Sequence, residues 1–524
     1  MDSTLSTLVY ALFSVLPMVV LLILMIFLKW SAAKSGPASF ILAMMIANTF
    51  FGADIFLLAL AICKGLMISI YILYIIWPAL ALYSIVELSG AIKRIGLGIS
   101  SITNDGPLQI LILSWAFTGF LQGVAGFGIP VAVTTPLLIG LGFNAMTAAV
   151  TSLVGHSWAI TFGSMGTSFY TLQLVTGLQS EKLAFWSSFF LGICVFLTGI
   201  FAIYDFKGFK GVKESFFTIV SMGIAMAFTQ IVLASIGAWS VAAFVAGMVG
   251  IGIGILSSRA QSYRKRNKKN MIENKASKEE MSFHTAFSPY YALIAIVLIF
   301  SLLPNVSKTL GTMALKVPFP STRTSLGWVN PAVESYSTIP IFSHAGALVV
   351  YASIIGYIVY RIKGFWKPKL SASLIRLTLD RGIPASIATI SMAMTALVML
   401  DSGMIYCLAT FVSRITGDFF PIFSALIGLF GAFITGSNTN SNVLFGPFQR
   451  DVARMLKVDE SILCSAQTTG GAIGSMLAPA KVIVGASTTG LIGKEGDIML
   501  RTSKYGMLMA LMIGLTVLII LHLV

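Results

Sequence analysis

The chain is 524 residues long, 57% hydrophobic and only 10% charged, with a formal net charge of +15. That composition excludes a soluble globular protein, and because a span takes about 20 apolar residues there is room for on the order of a dozen. The positive charge does not call for nucleic acid, since Lys and Arg gather between the apolar runs, as in the cytoplasmic loops of membrane proteins.

The first apolar run, 8–28, is too long for a signal-peptide core and is followed by Lys29 and Lys34. It reads as a retained span with its N-terminus outside. Runs 38–62 and 66–89 come next, and Lys93 and Arg94 mark the cytoplasmic side. Asp54 falls inside the second run, and an intramembrane acid is a functional hypothesis by default. Glu87 lies near enough to the boundary to be solvated.

From 106 to 180 there is no Lys, Arg, Asp or Glu, and His156 is the one readily titratable side chain. Apolar 108–121 is broken by Gln122-Gly-Val-Ala-Gly-Phe-Gly-Ile-Pro130 and resumes at 131–141. This pattern predicts helix, glycine-rich turn and helix, with Pro130 in a first turn where its missing N–H is not needed. Segment 144–168 is interrupted at Gly155-His-Ser157 and at Gly163-Ser-Met-Gly166, the signature of a discontinuous helix. Spans 183–204 and 216–235 follow, with Lys207, Lys210 and Lys213 between them. Span 239–256 carries Gly247, Gly250, Gly252 and Gly254 for close helix packing. Eight Lys and Arg then fall between 259 and 278, a cytoplasmic connector that suits anionic lipid. The expected organisation is a first transmembrane repeat 1–256, a basic linker 257–288 and a second repeat 289–524.

In the second half, spans 289–303 and 344–360 are joined by 304–343, which is placed outside. Arg361, Lys363, Lys367, Lys369, Arg376 and Arg381 return the chain to the cytoplasm. After 384–400 and a short piece at 404–412, segment 419–447 contains Thr435-Gly-Ser-Asn-Thr-Asn-Ser-Asn442 directly behind an apolar run. Non-helical backbone survives in lipid only where protein or a water-filled cavity satisfies it, so this break is a candidate binding site. Segment 461–492 is interrupted at Thr468-Thr-Gly-Gly471 and Met476-Leu-Ala-Pro479, and 505–524 is the last span. The four cysteines show no paired spacing, so neither a disulfide framework nor a metal site is expected.

The halves repeat. Gly126 precedes Gly163-Ser-Met165 by 37 positions, and Gly436 precedes Gly474-Ser-Met476 by 38. Counting crossings from the basic loops makes the first hairpin enter from the cytoplasm and the second from outside. The expected fold is therefore an all-α integral membrane protein of about 12–14 helical segments in two inverted-topology repeats. Each repeat carries a re-entrant hairpin and a discontinuous helix, with the site between them near the midplane.

Gly123-Val-Ala-Gly-Phe-Gly-Ile-Pro130, Gly140-Leu-Gly-Phe-Asn-Ala145, Phe162-Gly-Ser-Met-Gly-Thr167, the Phe433 to Gly446 stretch, Thr468-Thr-Gly-Gly471 and Gly490-Leu-Ile-Gly-Lys-Glu-Gly-Asp497 together resemble the L-lactate permease family. The resemblance covers most of the chain and implies a proton-coupled secondary transporter of small monocarboxylates such as lactate and glycolate. Two departures bear on the coupling ion. Where the family commonly has an acidic residue before the first glycine turn the chain has Gln122, and where it usually reads Gly-Ser-Asp-Thr the chain has Asn438. His156, which titrates near physiological pH, is a candidate to compensate, and Asp54 is a further coupling candidate.

A carboxylate taken out of water needs its hydration replaced. Helix N-termini at the turns Gly126-Phe127-Gly128 and Gly436 to Asn440 offer unpaired N–H groups and a positive dipole end, and Thr435 and Ser437 are counted with them as substrate-binding candidates. Asn438, Asn440, Ser441 and Asn442 both donate and accept, as a neighbouring hydroxyl requires. Thr468, Thr469 and Gly470 are expected to line the cavity, because their helix is broken there. Lys481 is a cation in an otherwise uncharged segment, and it either meets the transported anion, pairs with an acid such as Asp54 or snorkels to an interface.

The leading expectation is proton symport of a small organic anion across the cell membrane. Alternatives are a sodium-coupled carrier of another small organic anion and an anion channel. The expected partners are the anion, a coupling H+ or Na+ and the lipid bilayer, with no nucleic acid and no cofactor. An enzyme is not expected, because no His-Glu-x-x-His or other converging catalytic set is present.

Overall fold

The computed structural model describes residues 4–28, 30–100, 102–124, 126, 128–264, 281–492 and 494–523. Among them, 11 helical stretches are long and apolar enough to cross a membrane. Of the basic linker, 265–280 lies outside the described residues, while its flanks continue helix Trp239–Arg264 and open helix Phe283–Leu302.

Two early boundaries differ from expectation. The chain breaks at Gly52, which is left-handed with φ +66°, and helix Ile55–Leu88 then starts with the Asp54 side chain accepting from the Leu57 N–H at 2.7 Å. The expected break near Cys63-Lys64-Gly65 does not form. Lys64 stays in the helix because its Nζ donates to Asp401 Oδ2 at 2.8 Å. Further on, one left-handed residue, Gly208, divides Ser180–Ser235 into two arms. Gly192 faces Ala227 and Gly223 faces Phe196, so the arms fold back as antiparallel spans.

Two hairpins and two broken helices lie inside this frame. The first arm, Gly106–Val124, is 89% buried, so it faces protein and not lipid. The chain then turns into Ile129–Gly140. In the second hairpin Phe420–Thr435 ends at Gly436, whose φ of +73° is available to glycine at little cost, and Asn438–Leu456 follows. The first broken helix runs through Ala145–Gly155, Ser157–Ala159 and Gly163–Thr176, with Ser164, Met165 and Gly166 all left-handed. The second is Glu460–Ser475 followed by Pro479–Thr489.

Each hairpin leans on the broken helix of the other half. Thr135 and Thr488 hydroxyls meet at 2.7 Å, Ser168 and Thr439 hydroxyls meet at 3.0 Å, and Asn442 Nδ2 donates to the Ser168 carbonyl at 3.0 Å. Segment 304–343 is not featureless. Ala314–Phe319 pairs antiparallel with Val333–Pro340, and Thr322–Arg323 with Val329–Asn330. Phe319 and Ile339 from these ladders pack on Met67 of helix Ile55–Leu88.

A side chain at Gly470 would place its Cβ 1.8 Å from the Ala425 carbonyl oxygen, whereas Gly252 has open space around it. Gly470→Val is therefore expected to cost ~3 kcal/mol or more, or to prevent folding, through backbone overpacking. Gly252→Ala should leave the thermal midpoint of the detergent-solubilised protein unchanged.

Candidate functional site

A cavity of about 1120 Å³ lies where the hairpin turns and the helix breaks converge. The first hairpin contributes Gln122 and Gly126, and the second contributes Thr435, Gly436, Ser437, Asn438 and Asn440. Ser164 and Ser475, one at each helix break, complete it together with Lys481. The helices beginning at Asn438 and Pro479 start in the lining itself, and the helix beginning at Ile129 starts three residues past the lining residue Gly126, so three positive dipole ends lie at or beside the cavity. The mouth is formed by Trp30, Arg381 and Glu495, on the face where the chain's basic loops lie.

Lys481 is 6% exposed and its Nζ donates to Ser475 Oγ. Among the described residues no carboxylate lies within ion-pairing distance of it. Gly128, left-handed with φ +81°, lets the first turn pass close to the Lys481 and Val484 side chains. His156 is fully buried and within electrostatic reach of Lys481. Its Nδ1 bonds the Ser152 carbonyl at 2.9 Å, and its Nε2 is without a partner among the described residues.

Behind the second turn lies a polar knot centred on Thr468. Its Oγ1 accepts from Asn442 Nδ2 at 2.8 Å and from Asn438 Nδ2 at 3.2 Å, and lies 3.2 Å from the Thr161 hydroxyl. The amide oxygens of Asn438, Asn442 and Gln122 are buried without partners among the described residues. The Asn442 orientation is fixed, because its other contact, the Ser168 carbonyl, needs a donor.

Several expected site residues serve the framework instead. Ser441 donates to the Gly428 carbonyl at 3.1 Å, Thr469 to Ser465 of its own helix at 2.8 Å, and Gly470 packs on Ala425. Asp54 caps a helix end, exposed and outside the cavity lining. Phe127 lies outside the described residues. Sequence reasoning passed over Ser164, Ser475 and Arg381. The serines had a visible signal, since each is the middle residue of the repeated Gly-Ser-Met. Arg381 had none beyond its place in a basic loop. No cluster of three or more His, Cys, Asp or Glu that could hold a metal is found among the described residues.

A family model described as L-lactate permease matches residues 10–524. Similar proteins include the L-lactate permease of Salmonella typhimurium strain LT2, 28% identical over 523 residues, 95% of this chain and 93% of that protein. Another is glycolate permease GlcA of Escherichia coli K12, 27% identical over 543 residues, 97% and 95%. The L-lactate permease of Bacillus subtilis 168 is 26% identical over 476 residues, 84% and 83%. A solved structure, the Alcanivorax borkumensis YdaH transporter, aligns with 85% of this chain and 84% of that one at a TM-score of 0.44 and 11% identity, too distant to carry an argument.

The knot yields a paired prediction. Thr468→Val removes the acceptor shared by two buried amides and should destabilise the protein by about 2 kcal/mol. Thr469→Val loses only a bond within its own helix and should cost less than about 1 kcal/mol. Thermal unfolding of the two variants in one detergent measures the difference.

Proposed function

The chain belongs to the L-lactate permease family, and from that premise we propose a secondary active transporter that moves a small monocarboxylate of the lactate or glycolate kind through the plasma membrane by alternating access, with a proton as the coupling ion. The observation that carries this reading is Lys481, a buried cation in a large cavity with a serine hydroxyl beside it and, among the described residues, no carboxylate within ion-pairing distance. An isolated buried ammonium is costly and a bound carboxylate relieves that cost. The Ser164 and Ser475 hydroxyls and the N–H groups of the converging helix starts replace the rest of the anion's hydration. Asn438 and Asn440 are placed to meet an adjacent hydroxyl.

Proton coupling follows from the same charge balance. The loaded site holds a carboxylate and an ammonium, which is net neutral. When the anion leaves, an ammonium left alone in low dielectric tends to give up its proton. Anion and proton then cross together and the carrier returns uncharged, with His156 serving only as a relay that passes the proton on to water. The positive-inside bias supports reading the mouth, which lies beside the basic loops, as cytoplasmic. The conformation is then inward-open, and the N-terminus lies outside.

The two Gly-Ser-Met motifs at the two helix breaks, and the reciprocal packing of each hairpin on the other half's broken helix, support inverted repeats for 1–256 and 289–524. The cavity lining includes Trp30, Arg381 and Glu495 beside the basic loops but neither Lys64 nor Asp401, which supports a carrier over a channel. Sodium coupling is the second reading, favoured by the amide oxygens of Gln122, Asn438 and Asn442, which are without partners among the described residues.

Proteoliposomes loaded for counterflow test the proposal. Labelled L-lactate or glycolate should accumulate saturably under an inward proton gradient without sodium, and accumulation driven by a sodium gradient alone would select the second reading. Lys481→Met should raise the half-saturating concentration on the order of 100-fold, the equivalent of about 3 kcal/mol for removing one partner of a buried charge pair. Unchanged half-saturation in that variant would remove Lys481 from the site.

A further inference from the structure

Helices Ile55–Leu88 and Leu370–Asp401 run antiparallel and are joined by an ion pair at each end. At the basic face Arg381 Nη1 meets Glu87 Oε2 at 3.0 Å, with side chains 28% and 36% exposed. At the opposite face Lys64 Nζ meets Asp401 Oδ2 at 2.8 Å, with both side chains 6% exposed. The pairs are reciprocal. The acid comes from the last turns of each long helix, shortly before the left-handed Gly90 or Gly403, and the base comes from the other helix.

At the basic face the cation lines the cavity mouth and Glu87 does not. At the other face the cation lies beneath aromatic rings. Lys64 Nζ lies 5.8 Å from the ring centroids of both Phe319 and Tyr336, which belong to the β-ladder segment laid over it. That segment rests on helix Ile55–Leu88 through Phe319 and Ile339 and is tied down by hydrogen bonds, among them Tyr74 hydroxyl to the Ile341 carbonyl at 2.7 Å. Ser325 N–H donates to the Gly52 carbonyl at 2.9 Å, and Asn330 Nδ2 to the Asp401 carbonyl at 2.8 Å.

A fully buried ion pair is a poor way to hold two helices together, since its desolvation commonly cancels its attraction. It is better explained if water reaches it during part of a cycle. We propose that Lys64 is the entry site for the carboxylate on the β-ladder face, masked in this conformation by Phe319 and Tyr336, as Arg381 is the entry site at the open mouth. This rests on the reading of the protein as a monocarboxylate carrier. When the ladder segment lifts, the Lys64 ammonium faces water with its acid behind it and draws the anion inward, as a charged rim group does at other binding surfaces.

Sided transport kinetics test this. Half-saturation for labelled L-lactate is measured from each face, with right-side-out and inverted membrane vesicles. Lys64→Met with Asp401→Leu, which leaves no orphaned charge, should raise the half-saturation by about tenfold from the β-ladder face and leave the basic face within about twofold. Arg381→Met with Glu87→Gln should do the reverse. Equal effects on both faces, or none, would overturn the assignment. A second variant covers failure of the first to insert. A Cβ at Gly52 would lie 3.1 Å from Ser325 Cβ, so Gly52→Cys with Ser325→Cys, in a background without the four natural cysteines, is placed to form a disulfide. Oxidation should stop uptake and reduction should restore it, and full uptake by the oxidised protein would show that the mask never lifts. Absence of saturable lactate uptake by the unaltered protein would contradict the carrier reading itself.

Discussion

A carboxylate leaving water for the interior of a membrane protein loses hydration that only charge and oriented dipoles replace, and the broken elements of this chain meet at the place where such replacement is on offer. Two serines and one lysine line a single cavity, with three helix starts at or beside it. None of these groups is acceptable facing lipid, because unpaired backbone N–H groups and an ammonium are costly there. The surrounding framework follows from that constraint. The first arm of the first hairpin is shielded by protein to 89%, and the backbone approaches closely where glycine leaves room, as at Gly470 against Ala425.

Much of this was legible in the sequence because it is local. Glycine and small polar residues interrupting apolar runs marked both turns and both breaks, and Lys481 stood out as a lone cation. Its surroundings were not legible. Whether it pairs with an acid depends on contacts across hundreds of positions, and the acid offered by the sequence, Asp54, is spent on capping a helix at an exposed end.

The misplaced boundary has a definite physical cause. Lys64 interrupts an apolar run, and a charge inside a run reads as a loop. In the folded chain its charge is compensated by Asp401, 337 positions away. The helix therefore continues through Lys64 and breaks at Gly52, where a left-handed residue and an aspartate cap end one helix and start the next. The β-ladders were missed for a related reason. They are short, and their apolar residues find partners on helix Ile55–Leu88 more than on one another. The left-handed run Ser164-Met165-Gly166 begins with two non-glycine residues held in an unfavoured conformation, a strain that clusters at functional sites and that composition does not reveal.

The lysine at the centre of the cavity is the claim on which the transport reading turns. An electron cryomicroscopy map of the protein in lipid nanodiscs with saturating L-lactate addresses it directly. The account predicts density for the carboxylate beside Lys481 Nζ, between Ser164 and Ser475 and under the two turns at Gly126 and Ser437. Ligand density elsewhere in the molecule, with the lysine still held by Ser475 alone, would contradict it.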